Sequence, residues 1–176
     1  MSIYPKNIAI IGSSGAIGSA FRKLLSEKYP DADLYAFSRY GKNCIDYSNE
    51  DSIAAAAELA SKDQPLDWVI TANGILHNDD IRPEKSLREL SADKFRSIFE
   101  VNTFVPALIA KYFLPKLSKE KASIFAALSA RVGSISDNKL GGWYAYRASK
   151  AALNMIIKNA AIEIRRRNKQ AMVVGI

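Results

Sequence analysis

The sequence predicts an α/β fold, a doubly wound parallel sheet with helices on both faces. Two observations carry this. Short apolar runs alternate with longer amphipathic stretches almost from end to end. Such alternation implies parallel strands covered on both sides. The first run also leads into a glycine cluster, Gly12-Ser13-Ser14-Gly15-Ala16-Ile17-Gly18, that opens a helix.

The elements follow in order. Asn7 to Ile11 is a buried-type strand and Ile17 to Lys28 has helical spacing. Leu34 to Phe37 is a second strand and Asn43 to Ile45 a weaker third. Asp51 to Ser61, with its alanine run, reads as a helix, and Asp67 to Ala72 as a strand ended by Asn73-Gly74. Ala92 to Leu117 is a long helix, bent or broken near Pro106 and Pro115. Ser123 to Leu128 is a strand, Tyr144 to Arg167 a long helix, and Met172 to Ile176 a last strand. In such sheets ligands sit beyond the strand C-termini, so the chemistry belongs just after each strand.

Length and composition set the frame. The 176 residues suit one domain, 1–176, able to bury a core. The 48% hydrophobic and 24% charged balance is ordinary for a globular protein. Apolar runs are expected to fall short of the ~20 residues of a membrane span. Met1 to Lys6 lacks a signal-peptide pattern, and the expectation is a cytoplasmic protein. The single cysteine, Cys44, excludes a disulfide framework and a cysteine zinc site within one chain; it is expected to be buried beside the sheet, and no metal site is expected. The net charge of +7 partly reflects Arg165, Arg166, Arg167 and Lys169. Cations suit a helix C-terminus, and no aromatic residues are interleaved for nucleic-acid stacking, so no nucleic-acid or membrane partner is expected.

The glycine cluster has the spacing G-x-x-G-x-x-G. Glycine is needed where φ is positive or where a side chain would block a pyrophosphate. The following helix offers free N–H groups and its positive dipole end to phosphates. Gly12, Ser13, Ser14, Gly15, Ile17 and Gly18 are therefore candidate cofactor contacts. The second strand ends at Ser38-Arg39. An arginine there, in place of the acid that bonds a ribose 2′-hydroxyl, suits a 2′-phosphate. NADP is favoured over NAD. Asp46 stands where adenine would lie, and an Asx turn explains it equally well.

Tyr146 and Lys150 form a Y-x-x-x-K pair on one helix face. Bringing a phenol from near 10 to near 7 asks for about 4 kcal/mol in favour of the phenolate. A lysine and a cationic nicotinamide ring could together supply it, leaving Tyr146 as general acid or base. Tyr112 to Lys116 repeats the spacing but contains Pro115 and follows no strand, so it reads as structural. His77, the only histidine, reads as a solvated loop residue. Trp143 fits a substrate wall or a packing role equally.

Taken together, the glycine turn, Asn102, the Ser129 region and Tyr146 with Lys150 resemble the short-chain dehydrogenase/reductase family. The stretch SARVGSISDNKLGGWYAYRASK, Ser129 to Lys150, is similar to the subgroup around bacterial C-factor and related carbonyl reductases. The resemblance implies a Rossmann fold with strand order 3-2-1-4-5-6. It implies Tyr146 as acid/base, Lys150 binding the nicotinamide ribose and lowering the tyrosine pKa, and a serine orienting the substrate oxygen. Asn102 matches an asparagine that holds a relay water, and Asn73 and Gly74 match the turn after the fourth strand. It also implies a homodimer through the two long helices.

The chain departs from the family's pattern in three places. Ala16 replaces the middle glycine of the turn, with Gly15 one residue early; Thr71-Ala72-Asn73-Gly74 replaces N-N-A-G; and Ala130 stands at the catalytic serine's position. Ser129 is the expected substitute, with Ser134 the other choice. The sequence ends within the sixth strand, where the family usually continues into a Pro-Gly turn, a covering loop and a seventh strand; either the sequence is truncated or the protein lacks this lid, in which case the strand is expected to be an edge and the site to have less cover. The expected function is NADP-dependent hydride transfer between nicotinamide and a small carbonyl or alcohol substrate. The alternative is a non-catalytic NADP-binding signalling or sensing protein of the same fold.

Overall fold

The computed structural model describes residues 4–78 and 80–176; Met1 to Ser2 and Ile3, part of the start read for a signal pattern, lie outside the described residues. The strands are β1 (Asn7–Ile11), β2 (Asp33–Phe37), β3 (Trp68–Thr71), β4 (Ser123–Ala127) and β5 (Ala171–Gly175). All pair in parallel, in the order β2-β1-β3-β4-β5. This is the expected order with one strand reduced. Asn43 to Ile45 contributes a single parallel bridge, Ser38 to Cys44, rather than a strand. Gly41 just before it has φ 102°, and Asp46 just after it closes an Asx turn onto Ser48. Three residues between two turns leave no length for a ladder. Cys44 is consequently exposed, not buried, with its thiol on the Arg39 carbonyl at 3.0 Å.

The helices are α1 (Ala16–Lys28), α2 (Glu50–Ser61), α3 (Ala92–Phe99), α4 (Val105–Phe113) and α5 (Tyr144–Arg165). Side chains alternate across the sheet with period two. Ile8, Ile10 and Ile70 pack with Leu25 of α1 on one face. Ala9, Ile11, Val69 and Phe125 pack with Ile53, Ile109, Phe113 and Leu153 of α2, α4 and α5 on the other. The two-faced core is thus covered by helices on both sides.

The long helix breaks where the prolines predict. Pro106 has no N–H for an α-helical bond. The chain widens into a π turn over Glu100–Phe104, and the Val105 N–H reaches back five residues to the Glu100 carbonyl. Pro115 sits in a closing 3₁₀ turn, Leu114–Lys116. The whole run Ala92–Lys116 is 25 residues with a mean hydropathy of 1.2 in its most apolar window. By length and composition it could cross a membrane, contrary to the sequence expectation. Half of that window is buried inside the fold, which accounts for its apolar character. The second Y-x-x-x-K pair is structural: the Tyr112 hydroxyl donates to Glu50 at 2.8 Å and Lys116 pairs with Glu58, both on α2.

Candidate active site

The glycine turn is built by backbone approach. Gly12 has φ 82°, and a Cβ on it would lie 2.8 Å from the Asn73 nitrogen. A Cβ on Gly18 would lie 2.1 Å from the Gly12 carbonyl oxygen. Neither position admits a side chain. The N–H groups of Gly12 and Ser13, and the Ser13 hydroxyl, all donate to the Phe37 carbonyl. Ser13 is therefore a buried tie to β2, not a groove contact. Ser14 and Gly15 line the groove; Ile17 is exposed on α1.

That groove, about 450 Å³, runs over the C-terminal ends of β1, β2 and β3. Arg39 and Asp46 line one end, and Asn73 and Gly74 the other. Asp46 accepts from the Ser48 N–H and hydroxyl at 2.9 and 2.7 Å, which holds its carboxyl below the usual range. It makes the Asx turn and lines the groove at once. Tyr47, which the sequence reading missed, also lines it. Its buried hydroxyl has no hydrogen-bond partner. The neighbouring Gly12 N–H, which favours the phenolate, is already given to Phe37. Burial pushes the Tyr47 phenol up to about 12. Nothing but its position after Asp46 marks it in the sequence.

At the far end, the Asn73 amide donates to the Val101 carbonyl and accepts from Thr71, tying β3 to the π turn. Asn102, fully buried in that turn, accepts from the Ile75 N–H at 2.8 Å. It donates to the Ile75 carbonyl at 2.8 Å and the Ser149 hydroxyl at 3.2 Å. Both amide hydrogens are thus spent on protein, so Asn102 clamps the loop after β3 to α5. A Cβ on Gly74 would lie 3.4 Å from Asn102 Oδ1 and 3.5 Å from Lys150 Nζ. The missing side chain leaves room between them.

Tyr146 and Lys150 lie on the first turns of α5, as their spacing requires. Lys150 is 2% exposed and donates to the Leu128 carbonyl at 2.7 Å. Its ammonium stands 5.8 Å from the Tyr146 ring centroid. Burial brings Lys150 down to about 8, and burial raises the Tyr146 phenol above its ordinary value. The expected lowering of Tyr146 by Lys150 is absent, because the ammonium is turned to the strand-end carbonyl. Ser129 donates to Asn154 Oδ1 at 2.6 Å. It lines a separate shallow pocket with Arg131, Ser134 and Asp137. Asn154 follows Lys150 by one helical turn, so the same face of α5 that carries the pair draws the serine away from the groove. Ser134 contacts Ser136 and Asp137 in that second pocket. His77 is exposed. Among the described residues no acid or imidazole cluster could hold a metal.

The groove fits a dinucleotide. A turn closed by glycines at the start of a helix, an orphaned phenol in the wall, an arginine at one end and, buried behind Gly74 at the other, a lysine match its phosphates, its rings and its two ribose ends.

Comparison with known proteins agrees. A family model described as Enoyl-(Acyl carrier protein) reductase matches residues 37–174, most of the chain. The 1-hydroxy-2-glutathionyl-2-methyl-3-butene dehydrogenase of Rhodococcus is 30% identical over 159 residues, covering 85% of this chain and 67% of that protein. The C-signal protein of Myxococcus xanthus is 38% identical over 74 residues, 42% of this chain and 44% of that one. The chain thus matches 67% of the first relative's length and 44% of the second's. The carbonyl reductase Sniffer of D. melanogaster superposes with a TM-score of 0.82 at 24% identity, over 97% of this chain and 79% of its own. The NADPH-bound carbonyl reductase from chicken fatty liver gives 0.79 at 21% identity, over 97% and 74%.

Proposed function

This chain belongs to the short-chain dehydrogenase/reductase family of oxidoreductases, and from that premise we propose that it is an NADP-dependent carbonyl reductase with Tyr146 as its acid. The single observation that carries this is the placement of Lys150 and Asn102 against Gly74, at the end of the groove opposite Arg39. The bound cofactor supplies a hydride to the carbonyl carbon. Tyr146 donates its phenolic proton to the carbonyl oxygen, completing the alcohol. A raised phenol keeps that proton in place at neutral pH. The Lys150 ammonium, held here by the Leu128 carbonyl, stabilises the phenolate left behind once it turns from that carbonyl toward the phenol of the ring 5.8 Å away. Asn102 holds the loop and helix in register, and its carbonyl oxygen faces the room above Gly74. The NADPH bound in the chicken neighbour is consistent with the cofactor choice.

The charge on Lys150 sets a pH dependence. Below about 8 it is an ammonium; above, it is neutral. The kcat/KM for reduction is expected to fall on the alkaline side of about pH 8. Lys150→Arg, which keeps its charge throughout this range, should move that limb to higher pH. A limb unmoved by the substitution refutes the assignment.

Arg39 is exposed at the groove's end and makes no ion pair among the described residues. A charge-assisted pair with a 2′-phosphate contributes about 1.5–3 kcal/mol. Arg39→Asp should weaken NADPH binding by roughly ten- to a hundredfold while leaving NADH binding within about twofold. Calorimetric titration with both cofactors checks this, and equal losses for the two would refute the 2′-phosphate role.

One observation favours the non-catalytic reading. Ala130 stands where the family has its serine, and the Ser129 hydroxyl is engaged by Asn154. If Ser129 nonetheless orients substrate, it must leave Asn154 to do so. Under the alternative reading the protein binds NADPH tightly and never oxidises it with any carbonyl compound.

A further inference from the structure

We propose that the cleft beside Trp143 is an oxyanion-accepting substrate subsite, so that the preferred carbonyl substrates carry a carboxylate or similar group. This rests on the reductase reading above. The chain enters α5 through three successive left-handed residues, Gly141, Gly142 and Trp143, at φ 65°, 63° and 52°. Among the described residues Trp143 is the only non-glycine with positive φ, a conformation that persists only where the surroundings impose it.

Glu84 imposes it. The Trp143 N–H donates to the Glu84 carbonyl at 2.5 Å. A Cβ on Gly142 would come within 3.3 Å of the same oxygen, so the close approach needs glycine. The Glu84 carboxylate, 3% exposed, accepts from the Ala145 N–H at 3.3 Å and sits at the N-terminus of α5. The acid between Arg82 and Lys85 is therefore turned inward onto the helix.

Its neighbours face the other way. Arg82 and Lys85 line a cleft of about 550 Å³ with His77, Asn78, Pro83 and Trp143. Among the described residues no carboxylate lines it and neither cation is ion-paired, the Glu89 carboxylate accepting from the Lys85 backbone N–H instead. The Trp143 indole also meets the Tyr146 ring edge-on, with centroids 6.4 Å apart. The cleft is thus one ring away from the proposed acid. A substrate reaching from Tyr146 across Trp143 would bring its far end to two free cations. An oxyanion there gains charge-assisted hydrogen bonds, and the indole offers an apolar wall to the linker between the two groups.

The test compares benzoylpropionate with its methyl ester, which share one ketone and differ by one charge. KM is measured at saturating NADPH, and binding by calorimetry on NADP-loaded protein. The acid should bind roughly tenfold more tightly than the ester, the most that two exposed cations provide. The ratio should fall towards one in the Arg82→Ala/Lys85→Ala double variant and in high salt, with kcat on the ester unchanged. Turnover of both compounds with equal KM, unaffected by the double variant, overturns the subsite and leaves the reductase reading intact. Preferential binding of the acid without turnover supports the subsite and sinks the reductase reading. Binding of neither compound overturns the subsite.

Discussion

Gly18→Ala is expected to abolish NADPH binding and to lower the unfolding midpoint by about 2–12 °C. The added Cβ would lie 2.1 Å from the Gly12 carbonyl oxygen, 2.8 Å from its carbon and 3.0 Å from Ser13 Cα. All three are backbone atoms, so no side chain can swing aside. The turn must move away from α1. Gly12 cannot follow freely, because it is wedged against Asn73 and bonded to Phe37. Overpacking a tight contact costs about 1–3 kcal/mol, and each kcal/mol lowers the midpoint by about 2–4 °C in a chain of this size. The binding loss has the same cause: displaced N–H groups no longer aim at the phosphates. Thermal unfolding and calorimetric titration with NADPH check the two halves separately. A variant that retains NADPH affinity would show that the turn does not cradle the cofactor.

Tyr146→Phe is expected to reduce turnover by about 10²–10⁴ while NADPH affinity stays within a few fold. The substitution removes one hydroxyl from a half-buried ring that packs edge-on to Trp143. The hydroxyl makes no hydrogen bond within the fold among the described residues, so stability should change little. Lost turnover with retained folding and binding is the signature of a proton donor. A variant with near-normal kcat would move the acid elsewhere in the chain. Steady-state kinetics on an aryl ketone, with circular dichroism as the folding control, distinguishes these outcomes.

The parts of the fold that were legible in the sequence are those fixed by backbone sterics. Gly12 and Gly18 announce themselves because only glycine survives where a Cβ would strike a carbonyl. Pro106 and Pro115 announce the two irregular turns because each lacks an N–H. Lys150 follows Tyr146 by one helical turn, and no tertiary contact was needed to see that they share a face. The strand order was legible too, since parallel connections leave few choices.

What escaped depends on partners distant in the chain. Glu84 lies 61 residues before the Ala145 that it caps, and no local pattern ties the two. Asn102 reads as a helix asparagine until Ile75 and Ser149 close around it. Ser129 looked free to serve the substrate, and Asn154, 25 residues on, engages it. Tyr47 is one more aromatic until the groove forms and leaves its hydroxyl without a partner. The short third strand fails for a local reason: Cys44 and Ile45 are apolar enough for a strand, but the turns at Gly41 and Asp46 leave room for a single bridge.

If the protein is the proposed reductase, the NADPH held in the groove gives its hydride to a carbonyl carbon while Tyr146 protonates the oxygen. The most direct test is label transfer from NADPH deuterated at the nicotinamide C4, incubated with the protein and a panel of activated ketones and aldehydes. Deuterium is expected on the carbinol carbon of at least one product, with no label above background for Tyr146→Phe. Tight NADPH binding with no label in any product would contradict the reductase reading.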